Sequence, residues 1–105
     1  MTQQKSHQIL YVDDEVANLT SLRAYLRRDY QIHTAESGEE ALAILAEQPI
    51  DLIISDQRMP QMSGVELLAE VRKEYPDIIR MILTGYSDMQ AIVDAINKGQ
   101  IYYYI

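Results

Sequence analysis

The 105-residue chain contains no cysteine, so neither a disulfide framework nor a thiolate metal site is open to it. Basic residues are scarce: nine Lys and Arg stand against sixteen Asp and Glu, a formal net charge of −7. That balance argues against direct binding to a phosphate backbone. No apolar run approaches the ~20 residues of a membrane span, and the polar start, Met1 to His7, lacks the apolar core of a signal peptide. Linkers, internal repeats and low-complexity tracts are missing too. What remains is the expectation of one soluble, cytoplasmic domain with a modest core, no membrane contact and no direct nucleic-acid partner.

The residues that are present alternate between two periodicities. Ile9-Leu10-Tyr11-Val12 is a short apolar run of strand type that ends on Asp13 and Asp14. Residues 16–28 then place Val16, Leu19, Leu22 and Leu26 on one helical stripe, with Arg23, Arg27 and Arg28 off it. Residues 30–35 alternate weakly and predict an edge strand, diluted by Gln31 and His33. Ser37 with Glu40 has capping-box spacing and predicts a helix burying Ala41, Leu42 and Leu45, with Pro49 beyond its end.

Asp51-Leu52-Ile53-Ile54-Ser55-Asp56 is the central apolar run, bounded by Pro49 and by the turn-rich Gln57-Arg58-Met59-Pro60-Gln61-Met62-Ser63-Gly64. Ser63 with Glu66 opens a third helix carrying Val65, Leu68, Val71 and Tyr75, closed by Pro76. Ser87 with Gln90 opens a fourth carrying Ile92, Val93 and Ile96, closed by Gly99. Residues 78–83 form the fourth strand and 101–105 the fifth, so the order is βαβαβαβαβ. Strict alternation implies an open α/β fold, a doubly wound parallel sheet with helices on both faces.

In such sheets ligands sit beyond the carboxyl ends of the strands, where the strand order reverses. If the first and third strands are neighbours, Asp13, Asp14 and Asp56 share one crevice, and the fourth strand adds Thr84, followed by Gly85. Carboxylates held close repel unless a proton or a cation joins them. Oxygen-only ligands suit Mg²⁺, and no His or Cys in these loops favours zinc. A carboxylate beside such an ion can take up a phosphoryl group as an aspartyl phosphate.

Val12-Asp13-Asp14-Glu15, Asp56 followed by Met59-Pro60 and Ser63-Gly64, and Leu83-Thr84-Gly85 together resemble the receiver domain of two-component response regulators. The resemblance runs from residue 9 to the end and leaves residues 1–8 as a polar tail. It implies a five-stranded, flavodoxin-like sheet of order 2-1-3-4-5. It also implies that Asp56 is the phosphoacceptor, that Asp14 and Asp56 bind Mg²⁺ (or Mn²⁺) directly, that Asp13 acts through water, and that Arg58 contributes its backbone carbonyl. Thr84 becomes the switch hydroxyl and Tyr104 the switch aromatic on the face around the fifth strand. The implied partners are a sensor histidine kinase or phosphotransfer protein and an output domain beyond the C-terminus. The Ser-Asp-Gln-Arg-Met-Pro and Leu-Thr-Gly-Tyr wording resembles receivers joined to transcription-activating or cyclic-dinucleotide-hydrolysing outputs. Such a domain assists its own phosphorylation and dephosphorylation without being a conventional turnover enzyme.

Receivers carry a Lys three residues beyond the switch aromatic, and a fifth helix after that; this chain reaches Ile105 before either. The expectation is therefore a C-terminally incomplete receiver over 9–105, a fragment of a longer regulator. Strands three to five are expected to stand bare on the face that only the first helix covers, and the chain is expected to self-associate. Two other readings stand beside the receiver. A receiver-like module that dimerises without taking phosphate keeps the fold and drops the chemistry. A haloacid-dehalogenase-type phosphatase needs a second acid two residues after the nucleophile, where this chain has Arg58. Taken singly, Asp13 and Asp14 read as helix-cap residues, Asp56 as an Asx-turn residue, Thr84 as a strand cap and Tyr104 as a packed aromatic. His7 and His33 read as incidental.

Overall fold

The computed structural model describes residues 7–83 and the backbone of 103–104. The strands are β1 (Gln8–Val12), β2 (Gln31–Ala35), β3 (Leu52–Asp56), β4 (Ile79–Leu83) and β5 (Tyr103–Tyr104), and the helices are α1 (Val16–Leu26), α2 (Gly38–Glu47) and α3 (Gly64–Glu74). All neighbouring strands are parallel, in the order β2-β1-β3-β4-β5. This is the doubly wound order that the resemblance implied. The helix expected from Ser87 to Gly99 lies outside the described residues. Of the expected fifth strand, Tyr103 and Tyr104 pair with Met81 and Ile82.

Side chains of a strand alternate between faces, so each strand contributes to two cores. One core joins Leu10, Val12, Ile53 and Ile82 of the sheet to Ala41 and Leu45 of α2 and to Leu67, Leu68 and Val71 of α3. The other joins Ile9, Tyr11 and Ile54 to Leu19 of α1, with Leu22, Leu26, Met81 and Leu83 packed against it. Near-continuous apolar strands such as β1 and β3 are thus buried on both faces, as parallel sheets require.

Several expectations change on contact with this packing. Val16 is 55% exposed rather than part of the α1 stripe. It opens the helix beyond the carboxyl edge of the sheet, in a shallow surface hollow where Thr20, Arg23, Thr34 and Glu36 lie around it and Leu19 is the one core residue beside it. In α3 the buried side chains are Leu67, Leu68 and Val71, while Val65 is half-buried, and Tyr75, also half-buried, caps the helix from just beyond its end. The helix lies against both the sheet and α2, and this widens its buried stripe to take in Leu67. On the α1 face, β3 is not bare: Ile54 is 8% exposed because it packs into the cluster around Leu19 and Tyr11. Ile79 on β4 does remain 45% exposed on that face. Its neighbour Arg80 points the other way and is buried, its guanidinium donating to the carbonyls of Pro76 and Ile78 at 3.3 and 3.0 Å.

The edge position of β2 is as expected, and His33 on it lies 2.8 Å from Gln8 Oε1 through its Nε2. Burial and then the nearby charge of Arg23 lower the His33 pKa below its ordinary value. Both described helices with Ser caps start where the capping spacing placed them, although only one box closes. At α3, Ser63 Oγ accepts from Glu66 N and Glu66 accepts from Ser63 N. At α2, Ser37 Oγ accepts from Glu40 N, but Glu40 Oε1 accepts from Glu36 N, one residue before the cap.

Candidate metal centre

Parallel register brings the acids together. Val12 of β1 pairs with Ser55 of β3, so the residues that follow, Asp13 and Asp56, meet at the carboxyl edge. Carboxylate oxygens of Asp13, Asp14 and Asp56 all lie within 4.8 Å of one another. The burial is graded: Asp13 is 3% exposed, Asp56 is half-buried and Asp14 is open to solvent, so the group forms a cup with Asp13 at its base. Among the described residues, this is the one cluster of three or more His, Cys, Asp or Glu side chains arranged to share an ion.

Asp13 is held from three sides. Its Oδ2 accepts from the Tyr11 hydroxyl and from Asn18 Nδ2, each at 3.0 Å, and its Oδ1 accepts from Glu15 N at 2.9 Å. Burial, the hydrogen bond to Asp13 and the charges of Asp13 and Asp56 together push the Tyr11 pKa well above the ordinary phenol value. The phenol therefore keeps its proton and remains a donor to Asp13.

The wall on the Asp56 side is built by Gln57 and the start of α3. Gln57 N donates to Leu83 O at the end of β4, while Gly64 N donates to Gln57 O at 3.0 Å and Val65 N to Gln57 Oε1 at 2.8 Å. With Ser63 N held by Glu66 and Glu66 N by Ser63, every amide that an α-helix ordinarily leaves open at its start is engaged here. Gly64 is required by this close approach, since a Cβ on it would overlap the backbone oxygen of Asp56. The loop between carries Gln61 at φ 72°, in the left-handed region that non-glycine residues seldom adopt.

The structure thus unites Asp13, Asp14 and Asp56 as expected and places Arg58 in the adjoining loop with its side chain exposed. Thr84 lies outside the described residues, and Tyr104 is described as backbone of β5 only. Tyr11, Asn18 and Gln57 escaped the sequence reading. Tyr11 had a signal: two residues before Asp13 on a strand, it shares that residue's side of the sheet. The donor set is all oxygen, which fits a hard divalent cation.

Residues 9–105 match the family model of the response regulator receiver domain. The chain belongs to the response regulator receiver family. This receiver is 42% identical over 101 residues to the hydrogenase transcriptional regulatory protein HoxA of Cupriavidus necator, covering 96% of the chain and 21% of HoxA. It therefore spans less than a quarter of that relative, and the same holds for ZraR of Escherichia coli, of which it covers 22% at 39% identity. Among solved structures it is similar to the receiver domain of an HD domain-containing protein from Pseudomonas fluorescens, with TM-score 0.87, 40% identity, and 94% and 80% of the two chains covered. It is also similar to the response regulator TrrA of Thermotoga maritima in complex with Mg²⁺–BeF, with TM-score 0.82, 36% identity, and 94% and 84% covered. Receiver domains are regulatory phosphoacceptors, and the acidic cup of this receiver is one that could hold a metal ion.

Proposed function

We propose that this receiver takes a phosphoryl group onto Asp56 from a sensor histidine kinase or phosphotransfer protein, with Mg²⁺ (or Mn²⁺) as the resident cation. The observation that carries the reading is the convergence of three carboxylates at the carboxyl edge of β1 and β3. Asp14 and Asp56 hold the cation directly, Asp13 through water, and Arg58 through its backbone carbonyl. An oxygen of Asp56 forms the new bond to phosphorus as the bond from phosphorus to the donor breaks, and the donor leaves with that electron pair. The cation, once bound, neutralises charge as the group transfers. Thr84 supplies a hydroxyl to a phosphoryl oxygen, and Tyr104 reports the change on the face around β5. The domain assists its own phosphorylation and dephosphorylation but is not a conventional turnover enzyme.

The readout passes to an output domain beyond this chain. HoxA and ZraR are transcriptional regulatory proteins, which supports a transcription-activating output, and the Pseudomonas relative, whose receiver belongs to an HD domain-containing protein, supports an HD-domain output as the alternative. We place the domain in the cytoplasm; no helix among the described residues is long and apolar enough to cross a membrane. Self-association belongs to the same proposal, supported by the exposed Ile79 on β4, and sedimentation across concentration tests it. Acetyl phosphate or beryllofluoride with Mg²⁺ should modify the wild type and leave Asp56→Asn unmodified. Equal labelling of the two overturns the assignment, and absent labelling of both favours the phosphate-independent interaction module.

A further inference from the structure

A carboxylate offers about four lone-pair sites, two on each oxygen. At Asp13 three are occupied: Tyr11 and Asn18 both donate to Oδ2, and Glu15 N donates to Oδ1. One site is left, on Oδ1. Asp13 can therefore face a cation, or a water on that cation, through a single oxygen. We infer that Tyr11 and Asn18 are positioning residues that hold Asp13 to one-oxygen service and so make the cup selective for Mg²⁺ over Ca²⁺.

The selectivity follows from what the two ions demand. Mg²⁺ is small, keeps several waters and uses each carboxylate through one oxygen, whereas Ca²⁺ takes six to eight oxygens and gathers them partly through bidentate carboxylates. To become bidentate at Asp13, Ca²⁺ has to displace a hydrogen bond that the wild-type protein makes to a charged group. Mg²⁺ asks for no such exchange. The geometry also separates the two donors: Tyr11 is buried in the α1-face core, while Asn18 stands exposed on α1 and also donates to Glu15 Oε1 at 3.2 Å. Each can be removed without the other.

The inference rests on the reading that Asp13, Asp14 and Asp56 hold the cation. The test is calorimetric titration of the 105-residue chain with MgCl₂ and, separately, CaCl₂, on wild type, Tyr11→Phe, Asn18→Ala and Asp56→Asn. Tyr11→Phe and Asn18→Ala each release one lone pair of Oδ2, and the Ca²⁺ affinity relative to Mg²⁺ should rise roughly tenfold in each, the scale of a hydrogen bond to a charged group. Asn18→Ala lies on the surface and decides the matter if Tyr11→Phe perturbs the fold. If the ratio stays within about twofold of wild type, or both affinities fall together, the two residues are merely structural and the inference fails. Asp56→Asn separates the two levels. Untouched Mg²⁺ binding in that variant removes the cation reading itself, while abolished binding with an unmoved ratio removes only the selectivity.

Discussion

Gly64, the first residue of α3, stands against the chain of Asp56 and Gln57 so closely that a Cβ there would also lie 3.0 Å from Gln57 Cα. The obstacle is backbone and cannot swing aside. Gly64→Ala should therefore destabilise the domain by about 2–3 kcal/mol, the upper range for overpacking. Gly38→Ala makes the contrast, because its new methyl meets only side-chain atoms of Met62, closest at the sulfur, which can swing aside, and alanine gains helix propensity in return. Urea unfolding should show a large loss for the first and little change for the second.

Gln57 is 7% exposed, and its side-chain oxygen is the partner of Val65 N. Gln57→Met keeps the volume and removes that acceptor, leaving a donor without its bond at a cost of about 1–3 kcal/mol. Hydrogen exchange should accelerate at Val65 while remaining slow at Glu66, whose amide is held by Ser63. Equal acceleration at both would mean that the helix start frays as a unit.

Asp14 is the exposed member of the acidic cup, within 4.8 Å of its two neighbours. Without a divalent ion, Asp14→Asn relieves repulsion, and stability should rise by about 1 kcal/mol at that separation in a watery dielectric. With Mg²⁺ present the order reverses, since the wild type gains ligand-linked stability that the variant lacks. Melting curves in EDTA and in MgCl₂ should therefore cross over between the two proteins.

His33 sets a pH dependence of known sign. Its folded pKa is lowered from 6.5 by burial and by Arg23, so below 6.5 the unfolded chain binds the proton more readily than the folded one. The contribution of neutral His33 is fully present above 6.5 and is lost as pH falls toward the lower folded value. His33→Gln removes the group, and the melting temperature of the variant should fall less than that of the wild type on acidification through this window.

The placement of the acids was legible because apolar runs announce buried strands, and Asp13 and Asp56 each follow such a run at its end. The sheet order was legible through family motifs rather than through periodicity. Capping spacing located the starts of α2 and α3, yet it could not say that Glu40 would reach Glu36 N rather than Ser37 N, because spacing sets reach and local backbone sets the target. Gln57 and Gly64 were opaque for another reason: their contacts arise where β3, β4 and α3 converge, and no local pattern encodes that convergence. Tyr11 read as an ordinary strand former, and only the geometry shows its hydroxyl turned to Asp13.

The engaged amides at the start of α3 bear on duration. With Ser63, Gly64, Val65 and Glu66 all committed within the fold, that helix has no N–H left to grip an anion. Under the proposed chemistry, an acyl phosphate at Asp56 would owe nothing to the α3 terminus and would lean on the cation and on groups outside that helix. Chelation would then remove the charge neutralisation that serves transfer to water as well as transfer from the donor, so the lifetime of the signal becomes a property of the ionic milieu, a record whose erasure waits on the ion.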